Sequence, residues 1–207
     1  MSQAVATHHG VAVDPAEAPL TPESWGKLGM WVFLAGDAMS FGGLLAAYAA
    51  LRLTSVDWPN PAQVLGISLT AFMTFLLICS SVTMVLALES IQHGDRGKFA
   101  RFLGMTILGG IAFLGMQAYE WTHLIHRGLG LTSNPFGANL FSTTFFLTTG
   151  FHGCHVFAGV VYLTVILFRG LAGKYDEHNW NEVEIVGLYW HFVDLIWILV
   201  FTFIYLV

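Results

Sequence analysis

The sequence predicts an all-α membrane protein, a bundle of five transmembrane helices. Of its 207 residues, 56% are hydrophobic and only 10% are charged, whereas a soluble domain carries about 25% charged residues. The apolar residues form five long runs, and short polar segments with turn residues such as Pro, Gly and Asn join them. About 20 apolar residues are enough for a helix to cross the ~30 Å hydrocarbon layer. The predicted spans are 27–51, 65–91, 102–125, 139–168 and 185–207.

Residues 1–24 precede the first span and are expected to form a polar, flexible cytoplasmic tail, leaving 25–207 as the transmembrane domain. The tail has neither the basic start nor the apolar stretch of a signal peptide. His8 and His9 are adjacent in it and could bind a metal, but such a pair is more often inert.

Basic residues indicate the orientation of the bundle, because they are retained on the cytoplasmic side of a membrane. Only Arg52 and Arg127 fall on the side opposite the N-terminus. The other six basic residues are Lys27, Arg96, Lys98, Arg101, Arg169 and Lys174. This asymmetry predicts a cytoplasmic N-terminus and a periplasmic C-terminus.

Ionisable residues inside the spans are functional candidates, because a charge in the hydrocarbon is costly. Asp37 lies about ten residues, or ~15 Å of helical rise, into the first span. A carboxyl at that depth is expected to be neutral or to be matched by water or a hydrogen-bond donor. It could therefore either bond a neighbouring helix or handle protons. In the second span, Thr70, Thr74 and Ser81 share a face suited to interhelical contact.

The third and fourth spans carry further polar stripes. Glu120 and His123 have the Glu-x-x-His spacing of di-iron helices, but the chain offers no second copy of that motif. His152 and His155 lie about one turn apart in the fourth span. They could ligate a metal or a haem, although intramembrane histidines are more often neutral and hydrogen-bonded to other helices.

The last span places His191 and Asp194 three residues apart on one face, where they are expected to satisfy each other or a neighbouring helix. The apolar residues outside that polar sector are expected to be able to face lipid. They include Trp190, Val193, Ile196, Trp197, Val200 and Phe203.

Several motifs are absent from the sequence. It has no Cys-x-x-Cys-His, no closely spaced cysteine pair for a dinuclear copper centre, no P-loop and no Gly-x-Gly-x-x-Gly. Its two cysteines, Cys79 and Cys154, lie inside apolar runs, and its net charge of −5 with no basic cluster argues against nucleic acid. No catalytic, cofactor-binding or metal site is therefore predicted in this chain.

Segments in all but one of the spans, together with one loop, resemble subunit III of the haem-copper respiratory oxidases, in the five-helix bacterial form. The similarity covers nearly everything from Gly26 to Val207. The matching segments are Gly29–Asp37 (GMWVFLAGD), Gly94–Arg96 (GDR), Gln117–Trp121 (QAYEW), Gly150–Val156 (GFHGCHV) and Tyr189–Trp197 (YWHFVDLIW).

The resemblance implies an accessory subunit without a redox centre, bound to the catalytic subunit I with subunit II in the same complex. Haem and copper would belong to those partners. This chain would hold phospholipid and support proton uptake during reduction of O₂ to water, in the bacterial cytoplasmic membrane. Asp37 matches the family's carbodiimide-reactive acid, which is usually Glu in seven-helix members, and Asp95 and Arg96 match a loop that could dock on a partner. The polar residues Glu120, His123, His152, His155, His191 and Asp194 would form an interhelical hydrogen-bond network.

One departure from the family is clear. Seven-helix members have two additional N-terminal helices that help to enclose a lipid-filled cleft, and this chain has no room for them, so another subunit would have to supply that wall. The sequence of the Gly150–Val156 segment favours cytochrome c over quinol as the electron donor. Readings from other classes are a haem or metal enzyme using His152, His155 and His191, and a transporter using Asp37 and Asp194.

Overall fold

The computed structural model describes residues 25–207, and the predicted tail with His8 and His9 lies outside them. The described chain is helical, with short connections. Its elements are α1 Trp25–Thr54, α2 Pro61–Val64, α3 Ile67–Gln92, α4 Arg96–His126, α5 Asn139–Leu171, α6 Asn181–Val200 and a π-helix Phe201–Leu206 that continues α6. Five of these helices are long and apolar enough to cross a membrane when α6 and the π-helix count as one, which confirms the predicted five-helix bundle.

The helix boundaries follow local capping. Helix α4 begins six residues before the predicted start at 102, because the Asp95 carboxylate accepts a hydrogen bond from the Lys98 amide at 2.9 Å and so caps it. The short helix α2 was not predicted. It begins where the Asn60 side chain accepts a bond from the Ala62 amide at 3.0 Å and Pro61 takes the first helical position.

Helix α6 lies at the centre of the bundle, where it packs against α1, α3 and α5, while α3 and α5 also flank α4. Half of the residues in the most apolar stretch of α6 are buried inside the bundle, whereas only 11% of those in the corresponding stretch of α1 are. The expectation that the apolar side of α6 can face lipid is therefore wrong for most of its residues. Trp190, Val193, Ile196, Trp197 and Val200 are at most 4% exposed, and only Phe203 of that set is exposed.

The helix order puts two loops on each side of the bundle. On the side where α1 begins, the turn after α3 and the loop after α5 are neighbours, since the Arg96 guanidinium lies 3.3 Å from the position a Cβ would take at Gly173. On the other side, the Ala138 amide donates to the Asp57 carbonyl at 2.9 Å, and Arg127 donates to the Val64 carbonyl at 3.1 Å. The two connections at each end of the bundle are therefore in contact with each other.

Beyond the end of α5, Glu182 at the start of α6 holds the connecting loop in place. The Arg169 guanidinium contacts both carboxylate oxygens of Glu182, at 3.0 and 2.6 Å, and the Tyr175 hydroxyl donates to one of them at 2.5 Å. Burial and the adjoining carboxylate raise the pKa of Tyr175 well above its usual range, so this hydroxyl stays a donor.

Candidate functional site

The first candidate group joins α1 to α5. His155 Nε2 lies 3.2 Å from Asp37 Oδ1, and both side chains are largely buried, with 15% and 8% exposed. Helix α5 fixes the ring, because His155 Nδ1 is 2.7 Å from the Phe151 carbonyl one turn earlier. The rings of Phe41 and Phe151 pack edge-on against the imidazole. The donor that a buried carboxyl requires is thus a histidine 118 positions further along the chain.

The contact with Phe151 restricts where the protons of this pair can be. A carbonyl only accepts hydrogen bonds, so Nδ1 of His155 must carry a hydrogen. The Nε2 to Oδ1 contact then needs one more proton, which lies either on the Asp37 carboxyl or on His155 Nε2. The geometry therefore describes a single proton shared by two buried groups, with the other carboxylate oxygen of Asp37 making no hydrogen bond to any described residue.

His152 is fully buried one turn before His155, in an aromatic environment. Its ring lies 4.9 Å from that of Trp197, centroid to centroid, and also packs against the rings of Phe113 and Phe41. Neither ring nitrogen has a hydrogen-bond partner within residues 25–207. This histidine packs as a buried ring and is not part of a hydrogen-bond network.

Glu120 forms a second polar group, near the other end of the bundle. Its carboxylate accepts hydrogen bonds from the Thr70 hydroxyl of α3 at 3.1 Å and from the Tyr205 hydroxyl at 2.9 Å. Tyr205 belongs to the π-helix, an element that is rare and often found at functional sites. One turn earlier on α4, Gln117 donates to the Thr149 carbonyl of α5 at 2.7 Å. Glu120 therefore ties the C-terminal end of the chain to α3 and α4.

His123, the other residue of the Glu-x-x-His motif, points away from this group. Its side chain is exposed and Glu120 is buried. The two side chains therefore do not converge, although they are three residues apart on one helix.

A third polar group joins α6 to α3. Ser81 donates to Asp194 Oδ2 at 2.6 Å, while the indole N–H groups of Trp190 and Trp197 donate to Ser80 at 3.0 Å and Thr74 at 3.0 Å. Sequence reasoning placed the two tryptophans on an apolar face and missed their role as donors. The signal that could have found them is their seven-residue spacing opposite a helix rich in Ser and Thr.

His191 and Asp194 do not satisfy each other. Asp194 bonds α3 instead, and His191 lines an apolar groove of about 380 Å³ between α1 and α6, beside Leu34, Ala38 and Leu195. The six residues predicted to form one hydrogen-bond network therefore do not form one. Glu120, His155 and Asp194 each bond or contact a helix other than their own, and the three other histidines make no hydrogen bond to these groups. The reason is that two side chains three apart on a helix share a face but diverge toward different neighbours.

We expect Asp194→Ala to reduce the amount of assembled protein. The substitution leaves the Ser81 hydroxyl without its carboxylate partner in a buried interface, at a cost of roughly 1–3 kcal/mol. Asp194→Asn, which keeps an oxygen acceptor, is the matched control and should retain more protein. Quantitative immunoblotting of membranes together with activity per complex measures this. Normal amounts of complex with abolished turnover would assign Asp194 to chemistry instead.

The candidate docking residues lie at the start of α4. Asp95 is the N-cap, and its carboxylate also pairs with the Lys98 ammonium at 3.0 Å, while Arg96 lies against the α5–α6 loop. The hydrogen bond from the Lys98 amide, followed by the contact with its side chain, lowers the pKa of Asp95. Asp95 is thus engaged within the chain, and the loop is ordered around it.

We expect the stabilising effect of Asp95 to depend on pH. Because folding lowers its pKa, the ionised cap stabilises the fold above the unfolded value of about 3.9 and loses that effect as the pH falls through the folded value. Asp95→Ala should therefore lower the melting temperature at pH 7, and the difference from the wild type should shrink at a pH well below the unfolded value. Asp95→Asn should keep a cap that does not titrate. A difference of equal size at both pH values would contradict this account.

Metal binding finds no support in the described part of the chain, where no three His, Cys, Asp or Glu side chains come together in a way that could hold an ion. Both cysteines are free thiols, with Cys79 partly buried and Cys154 exposed.

Known proteins of one family are similar in sequence to this chain. The family model of cytochrome c oxidase subunit III matches residues 21–207. The chain is 33% identical over 180 residues to cytochrome c oxidase subunit 3 of Bacillus subtilis, covering 86% of this chain and 84% of that protein. It is 36% identical over 184 residues to the protein of the same name from Corynebacterium diphtheriae, covering 87% of each. It is 33% identical over 208 residues to a probable cytochrome c oxidase subunit 3 of Mycobacterium tuberculosis, covering 100% of both. The chain therefore belongs to the cytochrome c oxidase subunit III family.

Proposed function

We propose that this chain is the accessory subunit III of a haem-copper oxidase that uses cytochrome c, bound to the catalytic subunit I with subunit II in the same complex. The observation that carries the proposal is the family match, which spans every described residue. In this proposal the haem and copper belong to the partner subunits, and the complex lies in the bacterial cytoplasmic membrane. Its reaction is the reduction of O₂ to water.

The Asp37 and His155 pair gives the chain a chemical role within that complex. With one shared proton the pair carries no net charge, whichever group holds that proton. Giving the proton up leaves one negative charge in the hydrocarbon, so release has to be followed by uptake of another proton. The Tyr189 hydroxyl donates to the His155 backbone carbonyl at 2.9 Å and so ties this part of α5 to α6. We assign this pair to proton uptake in support of the catalytic subunit.

Lipid is the remaining part of the proposal. Helix α1 exposes most of its apolar surface, and the groove between α1 and α6 is lined almost entirely by apolar side chains. In the membrane these surfaces need apolar partners, which phospholipid chains or helices of another subunit supply.

Purification of the complex through an affinity tag on this chain tests the proposed function. We expect the purified material to show the visible spectrum of haem and to consume O₂ with reduced cytochrome c. Activity with a quinol alone would assign the complex to the quinol oxidases. A visible haem spectrum from this subunit when it is separated from its partners would contradict its accessory role.

We also propose that the N-terminus is cytoplasmic, and a labelling experiment tests this orientation. In a chain with both natural cysteines replaced by serine, Thr132→Cys is expected to react with an impermeant thiol reagent added outside intact cells, and His178→Cys is not. The two residues are exposed and lie in loops on opposite sides of the bundle. The six-against-two distribution of basic residues is the physical reason. Labelling of His178→Cys alone would reverse the orientation.

A further inference from the structure

Two cavities lie along the same seam between α3 and α4, on the side of the pair that faces away from the core. The outer cavity, of about 250 Å³, lies near the turn that joins the helices. The inner cavity, of about 340 Å³, lies deeper in the bundle. The outer one is lined by polar side chains and by Leu86 and Phe102, whereas the inner one is lined mainly by apolar and small side chains.

The two cavities share no lining residue but follow each other along one seam, which we call the α3–α4 groove. Their lining residues recur about once per helical turn, on α3 from Leu76 to His93 and on α4 from Lys98 to Ala112. Fourteen residues of helix, from Lys98 to Ala112, rise ~21 Å. Half of a bilayer with its headgroup region measures about 20–22 Å. The groove therefore has the length of one membrane leaflet.

Close packing of the two helices forms the floor of the groove. A Cβ at Gly109 would lie 2.9 Å from the Ser80 Cβ, so the backbones approach closely there. The Thr83 and Thr106 hydroxyls lie 2.8 Å apart and bond each other across the interface. Because these hydroxyls are satisfied within the protein, the inner part of the groove presents an apolar surface to an occupant.

The outer end of the groove carries unequal charge. Asp95 and Lys98 pair with each other, and the Lys98 side chain remains 58% exposed. Glu89 is exposed, and its carboxylate makes no hydrogen bond or ion pair with any described residue. The lining thus has two carboxylates, one ammonium and the imidazole of His93, whose Nδ1 lies 2.8 Å from the Glu89 carbonyl. The excess of carboxylates over ammonium groups favours an occupant that brings a positive charge as well as a phosphate.

We propose that the α3–α4 groove binds one phospholipid with an ammonium-bearing headgroup, such as phosphatidylethanolamine. Its ammonium contacts Glu89, its phosphate contacts Lys98, and an acyl chain follows Met105, Leu108 and Cys79. The groove between α1 and α6 differs, because its only ionisable lining residue is His191 and it has no charged end. The polar headgroup is therefore what distinguishes the proposed site.

The two natural cysteines make the test direct. Cys79 lines the inner cavity, while Cys154 is exposed on α5, outside both cavities. In the purified oxidase, the rates at which N-ethylmaleimide modifies the two thiols are compared by mass spectrometry before and after detergent removes the lipid. We expect delipidation to raise the Cys79 rate relative to the Cys154 rate several-fold. Added phosphatidylethanolamine should restore the original ratio, whereas phosphatidylglycerol should not.

Glu89→Gln and the control Asp57→Asn, an exposed acid in the loop after α1 at the other end of the bundle, test the headgroup contact. Glu89→Gln should raise the amount of phosphatidylethanolamine needed for protection by about tenfold, the effect of losing one charge-assisted hydrogen bond. The control should not. If the ratio of the Cys79 rate to the Cys154 rate did not change with lipid, the proposed site would be wrong. Protection that survives delipidation and ends only when the subunits separate would assign the groove to a partner helix.

Equal protection by both lipids, or no effect of Glu89→Gln, would overturn the headgroup assignment. The inference rests on the proposed place of this chain in an oxidase complex. A different result contradicts the proposed place in the complex, namely that the tagged chain does not co-purify with haem.

Discussion

Gly110→Leu is expected to abolish accumulation of the folded subunit. Gly110 lies where α4 meets α5 and α6, and a Cβ there would be 2.6 Å from both Trp190 Cη2 and Val160 Cγ2. Trp190 cannot move aside easily, because it is 1% exposed and its indole N–H bonds Ser80. Overpacking a core typically costs about 1–3 kcal/mol. We expect more here, because a whole leucine would have to enter a contact between three helices.

The control for this substitution lies on the same helix. Gly115 has no atom within 4 Å of its Cβ position and is exposed, so Gly115→Leu adds the same side chain without a clash. Immunoblotting of membranes and thermal unfolding of the purified complex measure both variants. We expect near-normal amounts for Gly115→Leu and an intermediate level for Gly110→Ala. Equal amounts of the two leucine variants would show that α4 can shift away from α6.

Local sequence was enough to predict the five spans, because the length of an apolar run is a local property and determines whether a helix can cross the membrane. It could not tell which apolar face of α6 meets lipid. Lipid chains and protein cores are both apolar, so Trp190 and Trp197 look the same in either environment. Their indole donors found acceptors on α3, which only the helix arrangement reveals.

The polar residues illustrate the same limit. The sequence singled out Asp37 and His155 separately, but their contact joins α1 to α5 and depends on how those helices pack. For His191 and Asp194, closeness in sequence suggested a pair, and the structure gives them different surroundings. The π-helix was not predicted because no local pattern distinguishes it from the end of α6, yet it carries the hydroxyl that reaches Glu120.

Asp37→Asn is expected to leave O₂ reduction in place while reducing proton uptake or shortening the enzyme's lifetime during turnover. Asparagine fills the same space and can still donate to His155 Nε2, but it cannot hold or release the proton that the two groups share. A direct general acid or base contributes about 10²–10⁴-fold to the rate. An accessory proton site should therefore cost about tenfold or less in initial turnover, because the redox centres lie in other subunits.

The comparison with His155→Gln locates the effect. Glutamine cannot accept or release a proton, so in His155→Gln the proton can no longer pass between the two groups. Both variants should therefore show a defect per assembled complex, whereas Asp194→Asn, whose wild-type carboxylate bonds a serine, should not. Dicyclohexylcarbodiimide should label Asp37 in preference to the exposed acids Asp176 and Glu177 and the Arg-paired Glu182, since this apolar reagent enters the hydrocarbon and Asp37 is the acid of the four that lies deep inside a membrane span. Loss of O₂ reduction in a fully assembled Asp37→Asn complex would make the acid directly catalytic. Unchanged proton uptake and lifetime in both variants would reduce the pair to a packing contact between α1 and α5.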